Sequence, residues 1–347
     1  MTPLVAAVAA WWADAVVPLL WYGTIVGVLG LAVTPWLRRS SLTAALVVVH
    51  AALFKFYLPP VLQWPLAVVD QAASVVAPTD LAGAPGPLVT SLALVHAAGV
   101  LVAAGILARR ALEVAGWRRR ATPVSAGVLA TDAEIVAGRA GGRAARVALL
   151  ISVDVPGPVA IGVWRPVVLV PPGFETLPTP TRRAVLAHEL AHHRHHDLLV
   201  EWWLSVAQAI WWFHPIVHAL ARVARDLREE RCDAAVVRSG IVDAGTYCEA
   251  LVAVARTRPA ALTLAMRTRH SIVPRVRRLL AGPEARQGRA RLAAFVAAGF
   301  VLTSVPAASE RGSQPPATMP DDGVVIRHVI RTAPPATVIV EQQRVVR

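Results

Sequence analysis

Residues Leu198–Leu220 read LLVEWWLSVAQAIWWFHPIVHAL, with Glu201 as the only charged group. About 20 apolar residues suffice to cross a bilayer, so hydropathy alone makes this a membrane span. The flanks argue otherwise. Ahead lies Ala184–Asp197, AVLAHELAHHRHHD, and behind lies Asp226–Asp233, DLREERCD. Both are dense in groups that bind cations. A single crossing would part them by about 30 Å of hydrocarbon. If they belong to one site, the apolar stretch has to turn back. It is then a helix buried in the domain that carries the flanks, or one that dips partly into the membrane and returns near Pro215. Trp202, Trp203, Trp211 and Trp212 suit an interface.

The first flank holds five of the eleven histidines within nine positions. Ala184–His196 has no Gly or Pro, and Thr181 offers an N-cap, so a helix is expected here. Within it His188-Glu189-Leu190-Ala191-His192 forms an H-E-x-x-H motif. Residues four apart share a helical face, so both imidazoles can reach one zinc ion. Glu189 then lies where it can serve as general base toward water. A third histidine ten positions after His188 would make a metzincin, but position 198 is Leu. The same Leu198 breaks an H-x-H-x-D-H pattern that starts at His193. His193, His195 and His196 therefore read as a solvated or interfacial polar cluster.

Zinc held by two histidines with an open position needs one more protein ligand, often Glu. In the second flank Glu229 and Asp233 are four apart on one face. Glu229 could bind the metal while Asp233 accepts the free ring N–H of a ligand histidine. Glu230 points about 100° away around the helix. Spacing leaves a plainer reading open, a charged surface helix with Asp226, Arg228 and Glu230 solvated. His214 and His218, also four apart, suggest a second metal site or, as the expectation here, packing and hydrogen bonding. Cys232 reads as a small buried residue. Tyr247 or an arginine could stabilise an oxyanion, and nothing in the spacing selects one.

Composition places this chemistry in a membrane protein. The chain has 347 residues, 55% of them hydrophobic and 16% charged. Soluble domains carry about 25% charged residues. Three uncharged or nearly uncharged runs approach crossing length, Val16–Leu37, Leu42–Leu62 and Leu88–Ala108, and Leu292–Ala308 is a shorter fourth. Met1–Asp14, with Trp11–Trp12, reads as an interfacial anchor, and no removable signal peptide is expected. The net charge is +13, almost all of it arginine, and Lys55 is the only lysine. The arginines sit beside apolar runs, which points to membrane orientation and not to direct nucleic-acid binding. Arg38–Arg39 and the region after Arg109 are basic, while Gln63–Pro87 has two aspartates and no basic residue. Positive residues stay in the cytoplasm. The N-terminus, Gln63–Pro87 and the C-terminal tail are thus extracytoplasmic, and 109–290 is cytoplasmic. Cys232 and Cys248 are too few for a disulfide framework.

The fold expected is a mainly α membrane protein with about four transmembrane helices. Residues 1–108 hold three spans, 109–290 form a cytoplasmic α+β zinc-metallopeptidase domain inserted between spans three and four, 291–308 are the fourth span, and 309–347 a short tail. Arg146–Val153 and Val159–Val170 are rich in Val and Ile and broken by Pro156, Gly157 and Pro158, which predicts short strands. Ala244–Arg256 and Ser271–Ala281 predict helices. Val324–Ile330 and Ala336–Val346, around Pro334–Pro335, predict a small hairpin or a partner-binding strand.

Together HELAHHRHHD, WWFHP at Trp211–Pro215 and REERCD at Arg228–Asp233 resemble the BlaR/MecR-type membrane metallopeptidases, gluzincin-like proteins. Gly157–Gly173, GPVAIGVWRPVVLVPPG, resembles their strand region, so the close likeness covers roughly Val147–Val237. The resemblance implies Zn2+ on His188, His192 and Glu229, with Glu189 as base and Asp233 holding a ligand histidine. Asp197 matches a family position, and helix capping or a bond to Arg183 or Arg194 is expected of it. His195 replaces the usual second arginine. The implied partners are the lipid bilayer and a protein substrate, a winged-helix repressor cleaved in regulated proteolysis. A Ste24/HtpX-like quality-control protease is the nearest alternative. A non-catalytic zinc-stabilised receptor or scaffold is another, against which the intact Glu189 argues. The antibiotic-sensing relatives carry a penicillin-binding domain with an S-x-x-K motif. This chain has no S-x-x-K, so sensing of β-lactams by acylation is not expected. No motif addresses the oligomeric state.

Overall fold

Arginines close the two longest helices. In the computed structural model, which describes residues 3–57, 86–142, 146–257, 272–280, 295–300, 325–333 and 337–345, α1 (Pro3–Ser40) ends on Arg38 and Arg39. The chain then forms α2 (Leu42–Phe54) and α3 (Pro87–Arg120), which ends on Arg118–Arg120. Cations suit the negative end of a helix dipole. Both α1 and α3 are long and apolar enough to cross a membrane. Trp11 and Trp12 are part of α1, not a separate anchor, because nothing between Pro3 and Ser40 interrupts the helix. α3 runs straight through Arg109–Arg110 and leaves Leu92, Val95, Leu101 and Val102 exposed, an outward face that suits acyl chains. α2 is capped by Ser41 and has 13 residues, followed by a 3-10 turn at Lys55–Tyr57. It is shorter than the expected 42–62 span, whose remainder lies outside the described residues. Of the expected fourth span, 295–300 is helical and the rest lies outside the described residues.

The apolar run Leu198–Leu220 turns back. α6 (Asp197–Ile210) and α7 (Pro215–Arg238) are joined by a reversal over Trp211–His214. Pro215 is the first residue of α7, where its missing N–H leaves no helical bond unmade. Leu204, Ala207 and Trp211 of this hairpin, with Val217, Leu220 and Ala224, share one core with Leu37, Val48, Val49 and Leu53 of α1 and α2. Polar tethers hold the tip. Trp211 Nε1 donates to Phe56 O at 3.2 Å, His214 Nε2 lies 2.9 Å from Thr24 Oγ1, and His96 Nε2 lies 2.8 Å from Ile210 O. Gly99 of α3 faces the Trp212 ring, which a Cβ there would meet at 2.1 Å. Glu201 is not a lone charge in an apolar run. Arg225 Nε donates to it at 2.9 Å, and Arg228 also reaches it. His214 and His218 make hydrogen bonds to Thr24, Gln208 and Trp212 O, and no metal-type cluster among the described residues includes them.

A small sheet supports the site. β1 (Thr122–Pro123), β2 (Ala148–Ile151), β3 (Val159–Ile161) and β4 (Val167–Val170) lie in the order β1-β2-β4-β3. β2 and β4 are parallel, and β3 runs antiparallel to β4 at the edge. β4 is buried on both faces, as its unbroken VVLV demands. Val168 and Val170 pack on α4 (Val128–Ala140), α5 (Thr179–Arg194) and α8 (Ala244–Thr257). Val167 and Leu169 pack toward Val114 and Trp117 of α3. α5 begins two residues before the expected cap, because Pro180 fits a first helical turn and no side chain caps it. α9 (Ile272–Leu280) follows, as expected from its sequence. Residues 308–347 form a separate unit. It holds β5 (Val325–Ala333) paired antiparallel with β6 (Thr337–Val345), the expected hairpin with a longer first strand.

Candidate metal centre

α5 buries Ala184, Ala187, Leu190 and Ala191 in the core, which fixes its rotation and aims His188 and His192 at α7. On α7, Leu227 and Cys232 point inward, and the i, i+4 pair Glu229 and Asp233 meets the histidines. His188 Nε2 lies 3.2 Å from His192 Nε2 and 3.4 Å from Glu229 Oε2, and His192 Nε2 lies 3.6 Å from Glu229 Oε1. Zinc bonds of about 2.0–2.1 Å at tetrahedral angles put ligand atoms about 3.3 Å apart. The three side chains therefore fit one tetrahedral ion with a position left open.

The other ring nitrogens are held as well. Tyr247 Oη lies 2.9 Å from His188 Nδ1 and donates to Asp233 Oδ1 at 2.7 Å. Asp233 Oδ1 itself stands 3.3 Å from His188 Nδ1. Asp233 thus reaches the ligand histidine directly and through the phenol. The buried Tyr247 hydroxyl contacts His188 on the Nδ1 side of its ring, away from the Nε2 that meets His192 and Glu229. His192 Nδ1 lies 2.8 Å from Asp197 Oδ2. That corrects the expectation for Asp197, which neither caps a helix through its side chain nor pairs with Arg183 or Arg194. Its partners are His192, Arg231 and the Cys232 thiol, which donates at 3.3 Å. His196, at φ 58°, makes the corner between α5 and α6 that swings Asp197 back onto His192. A left-handed residue without glycine costs about 1–2 kcal/mol.

Glu189 follows His188 on the helix, and its Oε2 accepts the Ala160 N–H of edge strand β3 at 2.8 Å. Arg275 of α9 is a residue the sequence reading missed. Its Nε donates to Asp233 Oδ2 at 2.8 Å, its Nη2 to Asp233 Oδ1 at 2.5 Å, and its Nη1 lies 3.3 Å from Glu229 Oε2. Nothing in the spacing ties Arg275 to α7, since the contact is set by how α9 packs. One expectation changes, and the plainer surface-helix reading does not hold for two residues. His193 is buried and its Nε2 lies 3.0 Å from Val167 O, so it fastens α5 to the sheet instead of facing solvent. Arg228 and Glu230 are buried rather than solvated, because both face neighbouring helices.

The electrostatics favour a cation between these groups. Burial works to lower the His188 imidazole, but Asp233 and Glu229 outweigh it and raise the ring to about 10. Burial would raise the Glu229 carboxyl, yet His188, His192 and Arg275 hold it well below the usual carboxylate range. Asp233 is lowered against burial by His188 and Arg275. Burial pushes the Cys232 thiol well up, with Asp197 and Glu229 adding to it, so it stays a protonated donor. His195 is lowered to about 4 by burial and by Arg231.

Two imidazoles and a carboxylate converging at ligand distances, with a further carboxylate against an edge strand, define a site of metallopeptidase type. The chain belongs to the BlaR1 peptidase M56 family, whose sequence pattern matches residues 12–279. It is similar to the regulatory protein BlaR1 of Bacillus licheniformis, with 32% identity over 82 residues. That alignment covers 24% of this chain and 14% of the relative. The class is therefore that of the M56 peptidases, and the chain spans only a small part of that relative's length.

Proposed function

We propose that the chain is a zinc-dependent endopeptidase whose active site faces the cytoplasm. The observation that carries this reading is the convergence of His188, His192 and Glu229 beside Glu189. His188, His192 and Glu229 would hold zinc, which when bound supplies Lewis acidity for the scissile carbonyl. Glu189 takes a proton from the attacking water and delivers it to the leaving amine. Asp233, with Tyr247, and Asp197 fix the tautomers of His188 and His192, so that each presents Nε2 to the metal. Edge strand β3 offers backbone groups to an extended peptide, by strand addition. Glu189, bonded to Ala160 of that strand, stands where such a peptide would lie.

The substrate proposed is a soluble protein regulator. Similarity to a protein named for a regulatory role supports such a target, for which we propose a winged-helix repressor, over general quality control. Glu189→Gln in the full chain is the test. It should retain zinc and lose peptide cleavage by at least about 100-fold, the usual worth of a general base. Undiminished cleavage would sink the enzyme reading and leave a zinc-stabilised scaffold. Cleavage by the wild-type chain of unrelated unfolded proteins but not of a repressor would favour quality control.

A further inference from the structure

Glu230 is adjacent to Glu229 on α7 but faces another way. Its side chain is 5% exposed, and its Oε2 accepts Arg38 Nε–H of α1 at 2.7 Å. The same Oε2 lies 3.7 Å from Arg278 Nε of α9. Arg278 is three residues from Arg275, so both project from one side of α9. Arg275 in turn grips Asp233 and Glu229. The acidic run of α7 is thus held on one side by a helix long enough to cross the membrane and on the other by α9. α1 touches α7 at a second place too, where Thr24 meets His214 at the hairpin tip and Gly27 lies against Ile216. Between these two polar contacts α1 and α7 advance by 14 and 16 residues, 24 to 38 and 214 to 230, so they run side by side in the same direction. A shift or rotation of α1 is then felt at Glu230, one residue from the proposed zinc ligand. A buried carboxylate that loses one of its cations is strongly disfavoured, so Glu230 follows Arg38.

We propose that Arg38 is a positioning residue for the metal centre. Through Glu230 and α9 it sets where Glu229 and Asp233 stand, and so couples the membrane helices to the competence of the site. This rests on the zinc reading above, and it deepens that reading by naming how the site is regulated. Arg38 touches no reacting atom.

The test uses the full chain in lipid nanodiscs, loaded with cobalt(II) in place of zinc, so that the visible spectrum reports coordination geometry without any turnover. Arg38→Gln and Glu230→Gln should each shift the cobalt spectrum and weaken metal retention against a competing chelator by about tenfold or more. Arg38→Lys, which keeps the charge, should restore part of both. Arg39→Gln, which removes the same charge from an exposed neighbour, should leave both unchanged. If Arg38 acts through α9, then Arg38→Gln adds little to the loss already caused by Arg275→Gln. Should Arg38→Gln fold poorly, Arg38→Lys and Glu230→Gln carry the same comparison. A spectrum and affinity for Arg38→Gln equal to those of Arg39→Gln would overturn the coupling, and so would full additivity with Arg275→Gln. A wild-type spectrum absent, or unchanged by Glu229→Gln, would instead overturn the metal centre itself, and the coupling with it.

Discussion

At the scale of single residues, His188 sets how the centre responds to pH. Its ring is raised to about 10 by Asp233 and Glu229, against an ordinary value near 6.5. A metal ligand has to be neutral, so loading the site displaces that proton. Apparent zinc affinity should therefore climb by about tenfold per pH unit from pH 7 toward 9. Chelator competition at three pH values measures the slope. Asp233→Asn removes one of the groups that hold the proton, so its slope should flatten above about pH 7. A wild-type slope of zero would refute the assignment of His188 as ligand. Arg275→Gln should weaken zinc retention by about 10–100-fold, the usual cost of losing a group that orients metal ligands. It removes the cation that faces both Glu229 and Asp233. Unaltered retention would reduce Arg275 to a packing residue. The residues on H-E-x-x-H and on the Glu229/Asp233 pair were legible because helical periodicity alone brings them onto a face. Asp197 and Arg275 were not. Asp197 reaches His192 only through the left-handed turn at His196, and Arg275 comes from a helix more than forty residues downstream of Asp233.

At the scale of elements, the β3–β4 hairpin decides how firmly the edge strand stands beside Glu189. Gly162 begins the connection at φ +86°, and a Cβ there would meet the Arg165 carbonyl oxygen at 2.2 Å. That atom is backbone, so the turn has to open to admit it. Gly162→Ala should cost about 1–3 kcal/mol, the range for a strained backbone position. It should lower the melting temperature and depress peptide cleavage further than the loss of folded protein explains, since Ala160 is two residues away. A melting curve and a cleavage rate that match wild type would show the turn to be tolerant. The hydrophobic runs 146–153 and 159–170 announced these strands, but not their order or the short β1, which pairing across the sheet determines. The hairpin of α6 and α7 was legible only in combination. Hydropathy read it as a span, and only the demand that His188 and Glu229 share a metal required a reversal at Trp211–His214. Its paired Glu201, Arg225 and Arg228 are what make such a hairpin acceptable among apolar helices, because each charge meets an opposite one.

At the scale of the whole molecule, the reversal has a consequence for sidedness. α5 enters the hairpin through Asp197 and α7 leaves it through Glu229, so both ends lie on one side of whatever α1 and α3 cross. The arginines at 38–39 and 118–120 end those helices, and by the positive-inside tendency the side proposed for the centre is the cytoplasm. Arg194 and Arg238 are exposed, one on each side of the hairpin in sequence, while Cys232 and Cys248 are buried and give little background. Arg194→Cys and Arg238→Cys, made singly, should both resist a membrane-impermeant maleimide in intact cells and both react once the membrane is opened. Labelling of both from outside would preserve the centre and reverse its orientation. Labelling of one alone from outside would mean that Leu198–Leu220 crosses the bilayer. Glu229 would then stand about 30 Å of hydrocarbon from His188, and no single ion could be shared between them.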